Sequence, residues 1–146
     1  MSEPVKIHLR LEQDEDGYPP AGVESVWALP TANASEYIID NVPFFTRETT
    51  VDDVVAAREE DGQLWFEHVV CPSKNSLIRV VFFDKSVVQA LRDHLSEMGC
   101  SVEYMKSFNI LAVNIPPQTK LADVQSYLEA EMKAGKIDYE EPLLRQ

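Results

Sequence analysis

The chain has 146 residues, 45% of them hydrophobic and 26% charged, a balance that describes a folded acidic protein and excludes a disordered one. Its 25 Asp and Glu exceed its 13 Lys and Arg, and a net charge of -12 repels polyanions, so the composition argues against a nucleic-acid binder and for a basic protein partner. No apolar run exceeds four residues, as at Val80 to Phe83, and no signal-peptide core follows Met1-Ser2-Glu3-Pro4, so the expected location is cytoplasmic with no membrane partner.

Val5, Ile7, Leu9 and Leu11 alternate with Lys6, His8, Arg10 and Glu12, the period of two that marks a strand with one buried face. Asp14-Glu15-Asp16-Gly17-Tyr18-Pro19-Pro20 then forces an exposed loop, because glycine and consecutive prolines break a ladder. Short strands are expected over Ser25 to Leu29 and Glu36 to Ile39. Val51 to Arg58 and Gln63 to Val70 follow as two β-rich runs, joined through Asp61-Gly62, a pair that favours a hairpin turn with positive φ. The first part, residues 1–73, therefore reads as a small antiparallel β-sheet or barrel. It also carries the acidity: residues 1–76 hold 15 acids against 5 bases, whereas residues 77–146 hold 10 against 8.

Pro72-Ser73-Lys74-Asn75 interrupts the pattern, and the rhythm changes after it. Leu77 to Phe83 is a near-continuous apolar strand. Val87, Val88, Leu91, Leu95 and Met98 recur at helical spacing up to Gly99, with Asp84 or Ser86 as the cap. Strands over Ser101 to Met105 and Asn109 to Ile115 precede Pro116-Pro117. Leu121, Val124, Leu128 and Met132 mark a second helix, capped by Thr119 and ended by Gly135, before a last strand over Lys136 to Glu140. The order β-α-β-β-α-β over residues 74–146 predicts a ferredoxin-like α+β unit with both helices on one sheet face. Its other face must be covered by the N-terminal sheet or by a partner, and the two parts are expected to form one compact unit.

Candidate site residues fall into three groups. Asp14, Glu15 and Asp16 form an acidic cluster, but counted from Asp14 the glycine comes fourth and Ser25 twelfth, which does not suit a calcium loop. With Tyr18, Pro19, Pro20, Trp27, Pro43, Phe44 and Phe45 they are the partner-binding candidates, since aromatic anchors dominate interfaces. These aromatic loops either line an exposed hot spot or plug the end of the barrel, with plugging the favoured reading. Lys6, His8 and Arg10 share one strand face and read first as a solvated face, second as an anion site. Arg79 sits on an apolar strand face with Leu77, Val81 and Phe83 and needs an acceptor, either an ion pair between the two halves or a bound anion.

The remaining reactive residues form no complete set. His68 and Cys71 lack a third group to orient them, and His68 shares a strand face with Leu64, Phe66 and Val70, so it reads as a core histidine. Cys100 follows a helix C-terminus and reads as a small buried hydrophobe, while His94 lies off the apolar stripe and reads as exposed. Two cysteines are too few for a disulfide scaffold, and no histidine pair has ligand spacing, so neither a metal nor a cofactor is expected.

Several local signatures occur together. They are Asp16-Gly17-Tyr18-Pro19-Pro20, Glu24-Ser25-Val26-Trp27-Ala28, Asp40-Asn41-Val42-Pro43-Phe44-Phe45, Ile78-Arg79-Val80, Phe83-Asp84, Gly99-Cys100-Ser101-Val102-Glu103, Asn114-Ile115-Pro116-Pro117 and Tyr139-Glu140-Glu141. The set resembles a family of small bacterial proteins known as domain of unknown function 4265. That resemblance carries no activity, cofactor or catalytic residue, and implies that short acidic members accompany bacterial toxin systems as immunity-type proteins.

The functional expectation is thus a non-enzymatic acidic protein-binding module, of immunity type, that neutralises a basic bacterial toxin. The alternative is a small-molecule-binding regulatory sensor, built on the ferredoxin-like unit and compatible with a homodimer. An enzyme would require Asp40, Asp52, Asp53, His68 and Arg79 to converge.

Overall fold

A computed structural model describes residues 3–146, which divide into two compact units, one reaching Ser73 and the other spanning Lys74–Gln146. The first unit is a five-stranded closed barrel of β1 (Val5–Arg10), β2 (Val23–Pro30), β3 (Glu36–Ile39), β4 (Val54–Glu60) and β5 (Gln63–Cys71). Consecutive strands pair antiparallel, and β1 closes the ring by pairing parallel with β5, an arrangement forced by an odd number of up-and-down strands. Closure leaves no unpaired edge. The interior is filled by Ile7, Leu9, Val26, Ala28, Ile39, Val55 and Ala57, with Leu64, Phe66 and Val69 packed against them.

Asp61 (φ 54°) and Gly62 (φ 80°) form the β4–β5 turn with positive φ at both positions, as an Asp-Gly pair predicts. β4 itself begins at Val54 rather than Val51. Asp53 is fully buried and accepts from Thr49 Oγ1 (2.9 Å), Thr50 N (3.2 Å) and Ser73 N (2.8 Å), so its carboxylate holds the preceding residues in a turn.

The second unit is a four-stranded antiparallel sheet in the order β7-β8-β6-β9, formed by β6 (Ser76–Phe82), β7 (Ser101–Met105), β8 (Ile110–Ile115) and β9 (Ile137–Leu143). Its helices are α1 (Val88–Glu97), entered through a 3-10 turn at Lys85–Val87, and α2 (Leu121–Lys133). Ile78, Val80, Phe82, Leu111, Val113 and Ile115 pack against Leu91, Leu95, Val124 and Leu128. All six residues of β8 are buried, the polar Asn114 among them, as befits a strand flanked on both sides by β6 and β7.

The helix starts use different devices. Asp84 Oδ1 accepts from Ser86 Oγ (2.5 Å) and Ser86 N (2.9 Å) ahead of α1, and these bonds, helped by Lys136, hold its carboxyl below the usual range. At α2 the expected Thr119 cap is replaced. Thr119 Oγ1 donates to Met98 O (2.9 Å), while Gln146 Oε1 accepts from Leu121 N (3.1 Å) and Gln146 Nε2 donates to Thr119 O (2.7 Å). A carboxamide distant in sequence thus does the work of a local hydroxyl.

Gly99 ends the α1 turn at φ +99°, and a Cβ built there would lie 2.6 Å from Thr119 Oγ1. Gly99→Ala is expected to destabilise the protein by about 2 kcal/mol, from left-handed strain and from displacing the Thr119 hydroxyl, as read by urea denaturation.

Candidate interaction site

Asp14 organises the loop between β1 and β2. Its Oδ1 accepts from Asp16 N (2.9 Å) and Tyr18 N (2.9 Å), and Gly17 supplies the positive φ of 77° that the turn requires. Gln13 Nε2 donates to Pro19 O (3.0 Å) across the same loop, and the Tyr18–Pro19 bond is cis. The carboxylates of Asp14, Glu15 and Asp16 therefore sit on an ordered, exposed turn.

The second aromatic loop is held by a residue that the sequence reading did not single out. Glu24 lies on the inward side of β2 with Val26 and Ala28. Its carboxylate accepts from three successive backbone amides: Phe44 (2.5 Å), Phe45 (3.0 Å) and Thr46 (2.8 Å). A buried carboxylate without donors is costly, so these bonds satisfy Glu24 and fix the loop at the same time. The available signal was its parity: a glutamate in step with Val26 and Ala28 must find donors.

Tyr18 and Phe45 meet edge to face with ring centroids 6.4 Å apart, which joins the two aromatic loops. The set divides in its exposure. Pro43 is buried and Pro19, Phe44 and Phe45 are half-buried, whereas Tyr18 (46% exposed), Pro20 and Trp27 (47% exposed) face outward.

Trp27 and Trp65 lie apart from that pair, on the outer face of the barrel with Lys6, His8 and Arg10. Lys6 Nζ sits 5.0 Å from the Trp27 ring centroid, and the Arg10 guanidinium 4.2 Å from that of Trp65. His8 packs against Trp65 at 5.4 Å, and its Nδ1 lies 2.6 Å from Ser25 Oγ. These contacts follow from register, since Lys6 opposes Trp27 on β2 and His8 opposes Trp65 on β5. Beside Trp27 an open hollow of about 470 Å³ is lined by Glu3, Pro4, Trp27 and Asp40.

His68 is exposed rather than a core residue. A bulge in β5 pairs Ala56 with His68 but Ala57 with Phe66, and the extra residue, Glu67, reverses the parity, so Val69 turns inward in place of His68. His94 is exposed and stacks on Tyr127 at 3.9 Å. Cys100 is buried, and that burial pushes its thiol up to about 11, whereas Cys71 is exposed.

Arg79 is only 3% exposed, and its Nη1 lies 3.5 Å from Glu140, the residue opposite it on β9, so this ion pair is made within the second unit. On the same strand face Leu77 is buried, but Val81 and Phe83 (70% exposed) are not. Among the described residues no three His, Cys, Asp or Glu side chains come together as a metal site, and no helix is long and apolar enough to cross a membrane.

A family model described as "Domain of unknown function (DUF4265)" matches residues 24–139. No curated protein matches the chain. A solved structure described as "Novel crystal structure of a hypothetical protein from Neisseria gonorrhoeae" is similar with a TM-score of 0.77 and 22% identity, covering 100% of this chain and 97% of that one. That likeness shows a shared fold.

Glu24→Ala leaves three amides without their acceptor and is expected to cost about 2–3 kcal/mol, with faster amide exchange confined to Phe44, Phe45 and Thr46. Unchanged exchange there would show that the carboxylate does not hold the loop. Thiol titration at about pH 8 is expected to find only Cys71 reactive in the native protein and both cysteines in denaturant, since burial keeps Cys100 protonated.

Proposed function

The chain belongs to the DUF4265 family, and on that premise we propose that it is a non-enzymatic protein-binding module of immunity type whose partner is a basic protein such as a bacterial toxin. The observation that carries this reading is the joined loop pair. Tyr18 is half-exposed yet held edge-on against Phe45, directly beside three carboxylates on a turn that Asp14 fixes. An aromatic anchor that is already ordered loses little freedom on binding, and the surrounding charge steers a basic partner toward it.

The second unit is read as a ferredoxin-like split βαβ unit. Its support is the antiparallel order β7-β8-β6-β9 with α1 and α2 sharing one apolar cluster against the sheet. A cytoplasmic location is supported by two free cysteines, one of them exposed, which suit a reducing compartment.

Capture from the source-cell lysate on immobilised protein is expected to retain one basic protein at fixed stoichiometry, released as salt rises. Neutralising the turn with Asp14→Asn, Glu15→Gln and Asp16→Asn together is expected to slow association about tenfold, and Tyr18→Ala to speed dissociation. Retention that ignores both salt and the neutralised turn would overturn the reading.

A further inference from the structure

We infer that the hollow beside Trp27 is the seat for a single arginine or lysine side chain of a protein partner, an inference that rests on the basic-partner reading and locates one of its anchors. The walls of the hollow are one indole ring, one proline and the two acidic residues Glu3 and Asp40. An indole face is electron-rich, a proline ring offers an apolar wall to an aliphatic stem, and carboxylates attract the charged head. This combination suits a long cationic side chain and rejects an anion.

Two further observations support the assignment. Trp27 and Asp40 are carried on one stiff piece of backbone, because Asp40 N donates to Trp27 O (2.8 Å) and Trp27 N donates to Asn41 Oδ1 (2.6 Å). The backbones that carry ring and carboxylate are thereby held side by side before any partner arrives. The ring also already receives a cation, the Lys6 ammonium at 5.0 Å, so its environment suits positive charge. Among the described residues neither Glu3 nor Asp40 forms an ion pair, so Lys6 engages the ring without neutralising the acids.

Lys6 therefore acts as a resident competitor. An incoming guanidinium must share the ring with it or displace it, and removing Lys6 makes the seat more negative. This fixes a sign: loss of a lysine strengthens binding of a cationic ligand, whereas an anion site on the same strand face would lose affinity.

The test is fluorescence anisotropy of labelled hexa-arginine on the full chain. Trp27→Ala and Asp40→Asn are each expected to weaken binding about fivefold, and Lys6→Gln to strengthen it about threefold. All three positions are exposed, and Asp40→Asn changes so little shape that it keeps the test valid if Trp27→Ala folds poorly. Weaker binding in Lys6→Gln, or unchanged affinity in Asp40→Asn and Trp27→Ala, overturns the seat. If neutralising Asp14, Glu15 and Asp16 abolishes binding in that case, the basic-partner reading stands without it. Tighter binding of hexa-glutamate than of hexa-arginine overturns both.

Discussion

Taking a carboxylate out of water demands donors to replace the lost hydration, and that demand at Glu24 shapes the candidate surface of the first unit. Among the described residues no cation pairs with it; three consecutive backbone amides serve it. Because those amides belong to Phe44, Phe45 and Thr46, satisfying one acid orders a segment that has no ladder of its own. Phe45 is then available to Tyr18 at a defined angle, and the loop that carries Tyr18 is closed by the carboxylate of Asp14. Asp53, just ahead of β4, repeats the device, binding Thr49, Thr50 and Ser73. Acidity in this chain is thus partly structural: some of its carboxylates serve as acceptors for backbone that would otherwise be loose.

The outer barrel face shows a different use of charge. With few bases in its first half, the chain seats Lys6 and Arg10 on the faces of Trp27 and Trp65 rather than against nearby acids. A cation over an exposed indole shields apolar surface while keeping its own head in water, at little cost in desolvation. The result is a face on which large aromatics tolerate solvent, and one of them borders a hollow with two acidic walls.

Much of the fold was legible because it depends on local patterns. The alternation from Val5 to Leu11 gave the first strand, the Asp-Gly pair its hairpin turn, and the Leu91–Leu95 and Val124–Leu128 spacings the buried stripes of the two helices. The misreadings have two causes, a contact between residues far apart in sequence and an irregularity that shifts parity. His68 was misplaced because one bulged residue in β5 reverses the parity at His68 and Val69. The α2 cap was misassigned because the acceptor comes from Gln146. Of the candidate site, the residues were legible as types, aromatics and acids, but neither their exposure nor their grouping was: Tyr18 faces outward and pairs with Phe45, while Trp27 stands with Lys6 and Asp40.

The amino-acid sequence by itself determined the acidic charge and its bias toward the first half, the periods of strands and helices, and the positions where backbone must turn, since each depends only on residue type and nearest neighbours. Only the tertiary structure decided that β1 closes on β5, that Glu24 holds the second aromatic loop, and that Arg79 pairs with Glu140. Those outcomes depend on which groups must exchange water for a protein partner once buried, and that is settled only when distant segments come together.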